Sequence, residues 1–238
     1  MSNPLMSEGI YSKVGVDSNN FMTLDGTINK SFILVGLTIL SAIGVWSYSD
    51  LFLPYILPIA LIAFIIASIV IFAKKTSPYL SPIYAILEGL AIGVISAFYE
   101  KELPGIVIQA VSLTFGVFLI MLYLYKTKII KATENFKSGV VASTGSIALI
   151  YIISLFGSFT GWYNIPFIHE SGIYGILFSL FVVGIAALNL ILDFDNVEIG
   201  VKMKAPKYME WYTSFGLLVT LIWLYLEILK LLAKSRRR

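Results

Sequence analysis

Cysteine is absent from this 238-residue chain, and histidine occurs once, at His169. Disulfides and thiolate chemistry are therefore excluded, and one imidazole cannot build a His-rich metal site. Charge is scarce too. Asp, Glu, Lys and Arg make up 13% of the residues, well below the roughly 25% of a soluble domain. No H-E-x-x-H, G-x-S-x-G, Walker loop or G-x-G-x-x-G occurs, and there is no EF-hand calcium loop. No nucleic-acid-binding module is visible. A lysine deep in the last apolar segment, as a Schiff-base chromophore would need, is also missing, since Lys230 lies near that segment's end. The expectation is a protein that is not an enzyme and carries no cofactor, with calcium possible only as a permeant ion.

What the chain has in excess is oil. Hydrophobic residues make up 58% and the mean hydropathy is +0.87, and the excess falls in long blocks. A helix needs about 20 apolar residues to cross a hydrocarbon core of about 30 Å. Seven segments qualify: Phe32 to Tyr48, Phe52 to Ala73, Leu80 to Phe98, Pro104 to Tyr125, Gly139 to Phe159, Gly172 to Leu192, and Met209 to Ala233. Their continuous apolarity predicts helices, because barrel strands would alternate over about ten residues. Pro54 and Pro58 should bend or delay the second helix. Residues 1–30 read as a polar cytoplasmic tail without a signal peptide's apolar core. Residues 31–233 read as one membrane domain, and residues 234–238 as a basic tail at the membrane surface.

Lysines set the orientation. Loops on the N-terminal side hold Lys74 and Lys75, then Lys126, Lys128, Lys131 and Lys137, then Lys202, Lys204 and Lys207; the opposite loops hold only Lys101. The positive-inside rule puts the N-terminus in the cytoplasm. The tail Lys234, Arg236, Arg237, Arg238 opposes this if all seven segments cross. Trp46, Trp162 and Trp211 lie near segment ends, where indoles favour the interface.

Ionisable groups within apolar segments are costly and tend to face protein or water, so they are the first functional candidates. Glu88 lies beside Gly89, Gly93 and Ala97, a small-residue stripe that admits a neighbouring helix. It is either an ion or proton site or a hydrogen-bonded structural glutamate. In "LNLILDFDNVEIG", Asn189, Asp193 and Asn196 share one helical face, and Asp195 points elsewhere if the helix is regular. A helix C-terminus is the wrong end for anions. Crowding and that dipole together favour a protonated carboxyl, as a proton-sensitive gate requires. The alternative is that both aspartates have simply reached water. In the last segment Thr213, Thr220 and Glu227 recur every seven residues, with Glu210 near their face. They form either the lining of a path or a set of self-bonded threonines with Glu227 snorkelling beside Lys230.

The stretches "SPIYAILEGLAIG", "LDFDNVEIG" and "APKYMEWYTSFGLLVTLIWLYLEILKLL", in this order within seven segments, resemble the Bax-inhibitor family, also called the transmembrane Bax inhibitor motif family. The last stretch looks most like a bacterial branch, which implies a bacterial plasma membrane. The resemblance implies an all-α bundle of seven transmembrane helices with the last helix central. It implies a pH-sensitive calcium leak, with links to cell-death suppression in eukaryotic members and to a membrane-bound protease in some bacterial ones. It carries a sixth-helix aspartate onto Asp195 and places its seventh-helix partner at Thr220, which is no carboxylate. Glu210 or Asp193 could stand in. A basic latch would fall at Lys74 or Lys75, and Glu88 matches a third-helix glutamate of bacterial relatives.

Three functions are compatible with these readings. One is a cation leak gated by Asp195, held near Glu210, at the cytoplasmic mouth. Another is a non-transporting regulator that binds a membrane protease or stress-response complex. The third is a proton-coupled solute carrier, which would need broken helices at the midplane.

Overall fold

A computed structural model describes Tyr11, residues 20–160 and residues 172–237. His169 and Trp162, like most of the first nineteen residues, lie outside that set. Among the described residues there is no β-strand beyond one isolated bridge, Phe21 to Pro206. Among the described residues seven helical stretches are long and apolar enough to cross a membrane. They are built on α1 (Leu24–Trp46), α2 (Ile56–Phe72, completing a stretch that begins at Ser49), α3 (Ser77–Glu102), α4 (Ile106–Lys126), α5 (Glu134–Thr160), α6 (Ile173–Lys202) and α7 (Met209–Arg236). The chain is an integral, multi-pass membrane protein.

Several helix boundaries differ from the sequence expectation, each for a local reason. The α1 helix starts at Leu24, about two turns before Phe32, because Thr23 caps it by accepting a hydrogen bond from the Gly26 amide and Asp25 sits in its first turn. Lys30 therefore belongs to a helix and not to a polar tail. The two prolines delay α2 as expected. Pro54 lies in a 3-10 turn, Leu53–Tyr55, and Pro58 falls in the first helical turn, where its missing N–H costs nothing. The α6 helix runs on to Lys202, ten residues past Leu192, and its last turn is closed by Glu198 paired with Lys202 at 2.6 Å.

The chain divides into two compact units, Met1–Pro104 with Asp193–Val219 and Gly105–Leu192 with Thr220–Arg238. In the first unit, α1 and α3 pack backbone to backbone. A Cβ on Gly89 would collide with the Thr38 carbonyl oxygen, and one on Gly93 would lie 2.6 Å from that of Ala42. Hydroxyls bridge the seam: Thr38 Oγ1 donates to Ala85 O at 3.1 Å and Ser41 Oγ to Ile86 O at 2.8 Å. Without a hydrophobic drive between helices in lipid, small residues and such hydrogen bonds supply the attraction. The second unit is held by buried Ile147, Val182 and Ile185, with Tyr151, Phe178 and Trp223 around them. There Asn189 Nδ2 donates to Thr144 Oγ1 at 2.8 Å.

Burial separates the helices. In α3 and α7, 56% of the most apolar window is enclosed, against 17% in α1, α2, α4 and α5. Those four therefore present most of their oil outward. Phe32, Leu40, Phe72 and Leu155 are more than half exposed, as lipid-facing residues should be.

Candidate functional site: an acid-lined cavity

The first unit encloses a cavity of about 550 Å³. Its α2 wall is a single stripe, Ala60, Phe64, Ala67 and Ile71, spaced four, three and four residues apart. Opposite stand Tyr84 and Glu88 of α3, Asp193 and Asn196 of α6, and Tyr212 and Thr213 of α7. Glu88 lies eleven residues into α3 from Ser77, about 17 Å along the axis. Asp193 lies nine residues from the end of α6, about 14 Å. Two carboxylates from different helices thus line one cavity well inside the membrane-spanning segments.

Their surroundings are aromatic. The Tyr84 hydroxyl hydrogen-bonds the Glu88 carboxyl one turn away, and its ring meets Phe215 edge-on at 4.9 Å between centroids. Lys74 Nζ lies 5.6 Å from the centroid of Tyr212, a cation–π distance. Tyr11 also lines the cavity and donates to the Asn196 carbonyl at 2.8 Å. Burial pushes the Tyr11 phenol well above its usual range, helped by Tyr212, Asp193 and Asp195. It stays a neutral donor at physiological pH.

The aspartates diverge as a regular helix demands. Asp193 lines the cavity and Asp195 does not. Both are only partly exposed, and both lie near enough to act on Tyr11. They are not at a helix end, however. Seven to nine residues of α6 follow them, and the dipole acts mainly within the last turn. The negative end of the α6 dipole therefore lies beyond both aspartates.

Glu210 does a different job from the one expected. It is fully buried and binds the start of α1. Its Oε1 accepts from the Thr23 amide at 2.9 Å and from Thr23 Oγ1 at 3.0 Å, and its Oε2 pairs with Lys30 at 2.6 Å. Beside it Ser214 Oγ donates to the Thr27 carbonyl at 2.9 Å and accepts from Ser31 at 3.1 Å. The segment before α1 is stitched to the α6–α7 loop by Met22 N to Ala205 O and Lys207 N to Asn20 O. Met22, buried with Tyr11, Val197, Ala205 and Met209, forms a small core beneath that stitch. Glu210 is the acceptor of a clamp, satisfied by three donors, and Asp195 is not among its partners.

In the second unit Glu227 is also buried and has not snorkelled to water. Both its oxygens lie 3.0 Å from the Tyr151 hydroxyl, and Lys230 pairs with it at 3.0 Å. Thr220 is buried too. Lys75 is exposed in the 3-10 turn before α3, whereas its neighbour Lys74 is partly covered at Tyr212.

Lys30, Thr23, Tyr11 and the two tyrosines of the cavity were not singled out from sequence. Thr23 with Asp25 is a readable cap signal; the tyrosines carry none, since fourteen occur along the chain. Among the described residues no three acidic or imidazole side chains converge as a metal cage would require. A family model described as Bax inhibitor 1 like matches residues 3–237. Comparison with curated proteins and with solved structures gave no match.

Proposed function

Because the chain belongs to the Bax inhibitor 1-like family, we propose that it is a pH-sensitive cation leak. Calcium is its permeant ion, and the Glu88–Asp193 cavity is its vestibule. The observation that carries this reading is the pair of carboxylates from α3 and α6 lining one cavity. Hard divalent cations prefer carboxylate oxygen. Two such groups without a third hold an ion weakly, and a leak needs an ion that can leave as well as enter. The lysine-rich loops support an N-terminus and a Lys74 side in the cytoplasm, and the resemblance to a bacterial branch supports a bacterial plasma membrane.

Proton sensitivity follows from the same groups. Glu88, Asp193 and the phenols of Tyr11, Tyr84 and Tyr212 face the cavity, Asp195 lies beside Tyr11, and Lys74 caps Tyr212. Protonating either carboxyl removes attraction for a cation, so flux falls as pH falls. Reconstituted in liposomes with a calcium dye, Glu88→Gln with Asp193→Asn should cut flux by about tenfold or more, equivalent to ~1.4 kcal/mol. It should also flatten the pH response. Asp195→Asn should change both less. Flux and pH response that survive the double substitution would reject the proposal.

A second reading is a membrane regulator of a protease or stress-response complex, without transport of its own. One observation favours it: Thr220, with no carboxylate, occupies the position where the resemblance places the aspartate partner. Capture of a partner from native membranes, together with no flux in pure liposomes, would select it.

A further inference from the structure

The α6 helix ends in a turn that usually calls for glycine. Ala205 N donates to Gly200 O at 3.0 Å and Lys204 N to Val201 O at 3.1 Å, the bond pair of a Schellman cap. The residue at its left-handed position is Lys204, with φ of 50°. Glycine holds that conformation without a Cβ penalty, and lysine does not. A non-glycine residue kept there points to a role for its side chain. The Lys204 ammonium lies 5.9 Å from the centroid of the Phe21 ring, which is 40% exposed. In the second unit Lys128 repeats the arrangement just after α4, with φ of 59° and Nζ 4.7 Å from the Tyr125 centroid. No other non-glycine residue among the described ones has a positive φ.

More charge gathers around Lys204. The Phe21–Pro206 bridge and the bond from Lys207 N to Asn20 O seat its turn beside the start of α1. Ser77 Oγ donates to Tyr208 O at 3.1 Å, which brings the 3-10 turn holding Lys75 next to Lys207. Lys75 and Lys207 are exposed, and among the described residues neither pairs with a carboxylate. Glu198 is matched by Lys202 and Glu210 by Lys30, so exposed Asp25 is the remaining acid of these segments. The balance is positive. Apolar side chains are open beside the lysines. Met203 is 37% exposed, and Leu24, Ile28 and Phe32 form an exposed stripe one turn apart along α1. Lysines that run on into a lipid-facing stripe match the level where phosphates meet acyl chains. An acidic protein would match the lysines and leave that stripe unexplained.

We propose that this face holds the phosphate of an anionic phospholipid of the surrounding membrane, with Lys204, Lys75 and Lys207 as its donors. Phe21, Leu24 and Met203 meet the glycerol and the upper acyl chain. The site is separate from the acid-lined cavity and does not require conduction.

The test uses the full-length protein in neutral detergent micelles. Dioleoyl phosphatidylglycerol and dioleoyl phosphatidylcholine are offered in equal amounts, and retained lipid is counted by native mass spectrometry. The expected result is preferential retention of phosphatidylglycerol. Lys75→Gln with Lys204→Gln and Lys207→Gln should weaken that retention about tenfold or more. Lys204→Gly is the decisive arm, because glycine suits the turn. It should weaken phosphatidylglycerol about threefold, while the melting temperature in phosphatidylcholine stays level or rises. A fall in that melting temperature would show the lysine serving the fold alone and would overturn the inference. So would equal retention of the two lipids, or a preference that survives the triple variant. A loss just as large from Lys234→Gln with Arg236→Gln, in the basic tail, would reduce the preference to overall charge and overturn the site. Binding of polyglutamate to the same lysines, without any lipid preference, would assign the face to an acidic protein instead.

Discussion

The two units treat a buried glutamate of α7 in opposite ways. In the first, Glu210 is satisfied by Thr23 and Lys30, about 180 residues away in the chain. In the second, Glu227 is satisfied by Lys230, three residues along the same helix, and by Tyr151. The Lys230 partner travels with the helix, and only the Tyr151 hydroxyl ties Glu227 to another element. A distant partner makes the carboxylate a joint between elements. The difference explains why the cavity acids are Glu88 and Asp193. The most buried acid at that end of α7 is already occupied in fixing the start of α1.

The sharpest way to break this contrast is to remove the joint. Glu210→Ala leaves Lys30 and the Thr23 amide without their acceptor. Breaking a buried pair in this way costs about 3 kcal/mol, or roughly 10 °C in Tm. Thermal unfolding in detergent should show that fall. A loss below a third of it would mean that the clamp is not a joint.

Glycines offer an intermediate test. Gly89→Ala in the first unit pushes a methyl into the Thr38 carbonyl, which is backbone and cannot swing away. The cost should be about 1–3 kcal/mol. Gly145→Ala on α5 meets open space, so it should stabilise by about 0.5–1 kcal/mol through helix propensity. Chemical denaturation of the two variants should move in opposite directions; movement the same way would erase the packing distinction.

The smallest effect should come from Lys230→Ala. Lys230 is 43% exposed, and Tyr151 continues to donate to Glu227 after its removal. The loss should stay under about 1 kcal/mol. A loss as large as that of Glu210→Ala would mean that the second unit depends on its ion pair as much as the first does.

The seven helices were legible because a bilayer demands long, unbroken apolar runs, and these survive any arrangement of neighbours. The proline delay of α2 was legible because proline acts through its own ring. The start of α1 was misplaced because hydropathy stops at Phe32, whereas the helix continues on a cap and a buried partner. The end of α6 was misplaced for the same reason. Asp193 and Asp195 look like the edge of the oil, yet they lie inside a helix that runs on to Lys202. Helical spacing did separate Asp193 from Asp195. It could not say which faced the cavity, since that depends on where α2, α3 and α7 stand. Lys30 was missed because nothing near it in sequence announces Glu210.

The stitch between residues 20–23 and 205–210 bears on how the protein is made. A ribosome adding about 5–20 residues per second needs roughly 10–40 s to travel from Thr23 to Glu210. During that interval α1 is already in the translocon or the bilayer with Lys30 lacking its counter-ion. The start of α1 thus waits for α7, and closure of this side is a post-insertion event. A nascent chain arrested before Met209 should leave Lys30 open to amine-reactive label, and release of the completed chain should protect it.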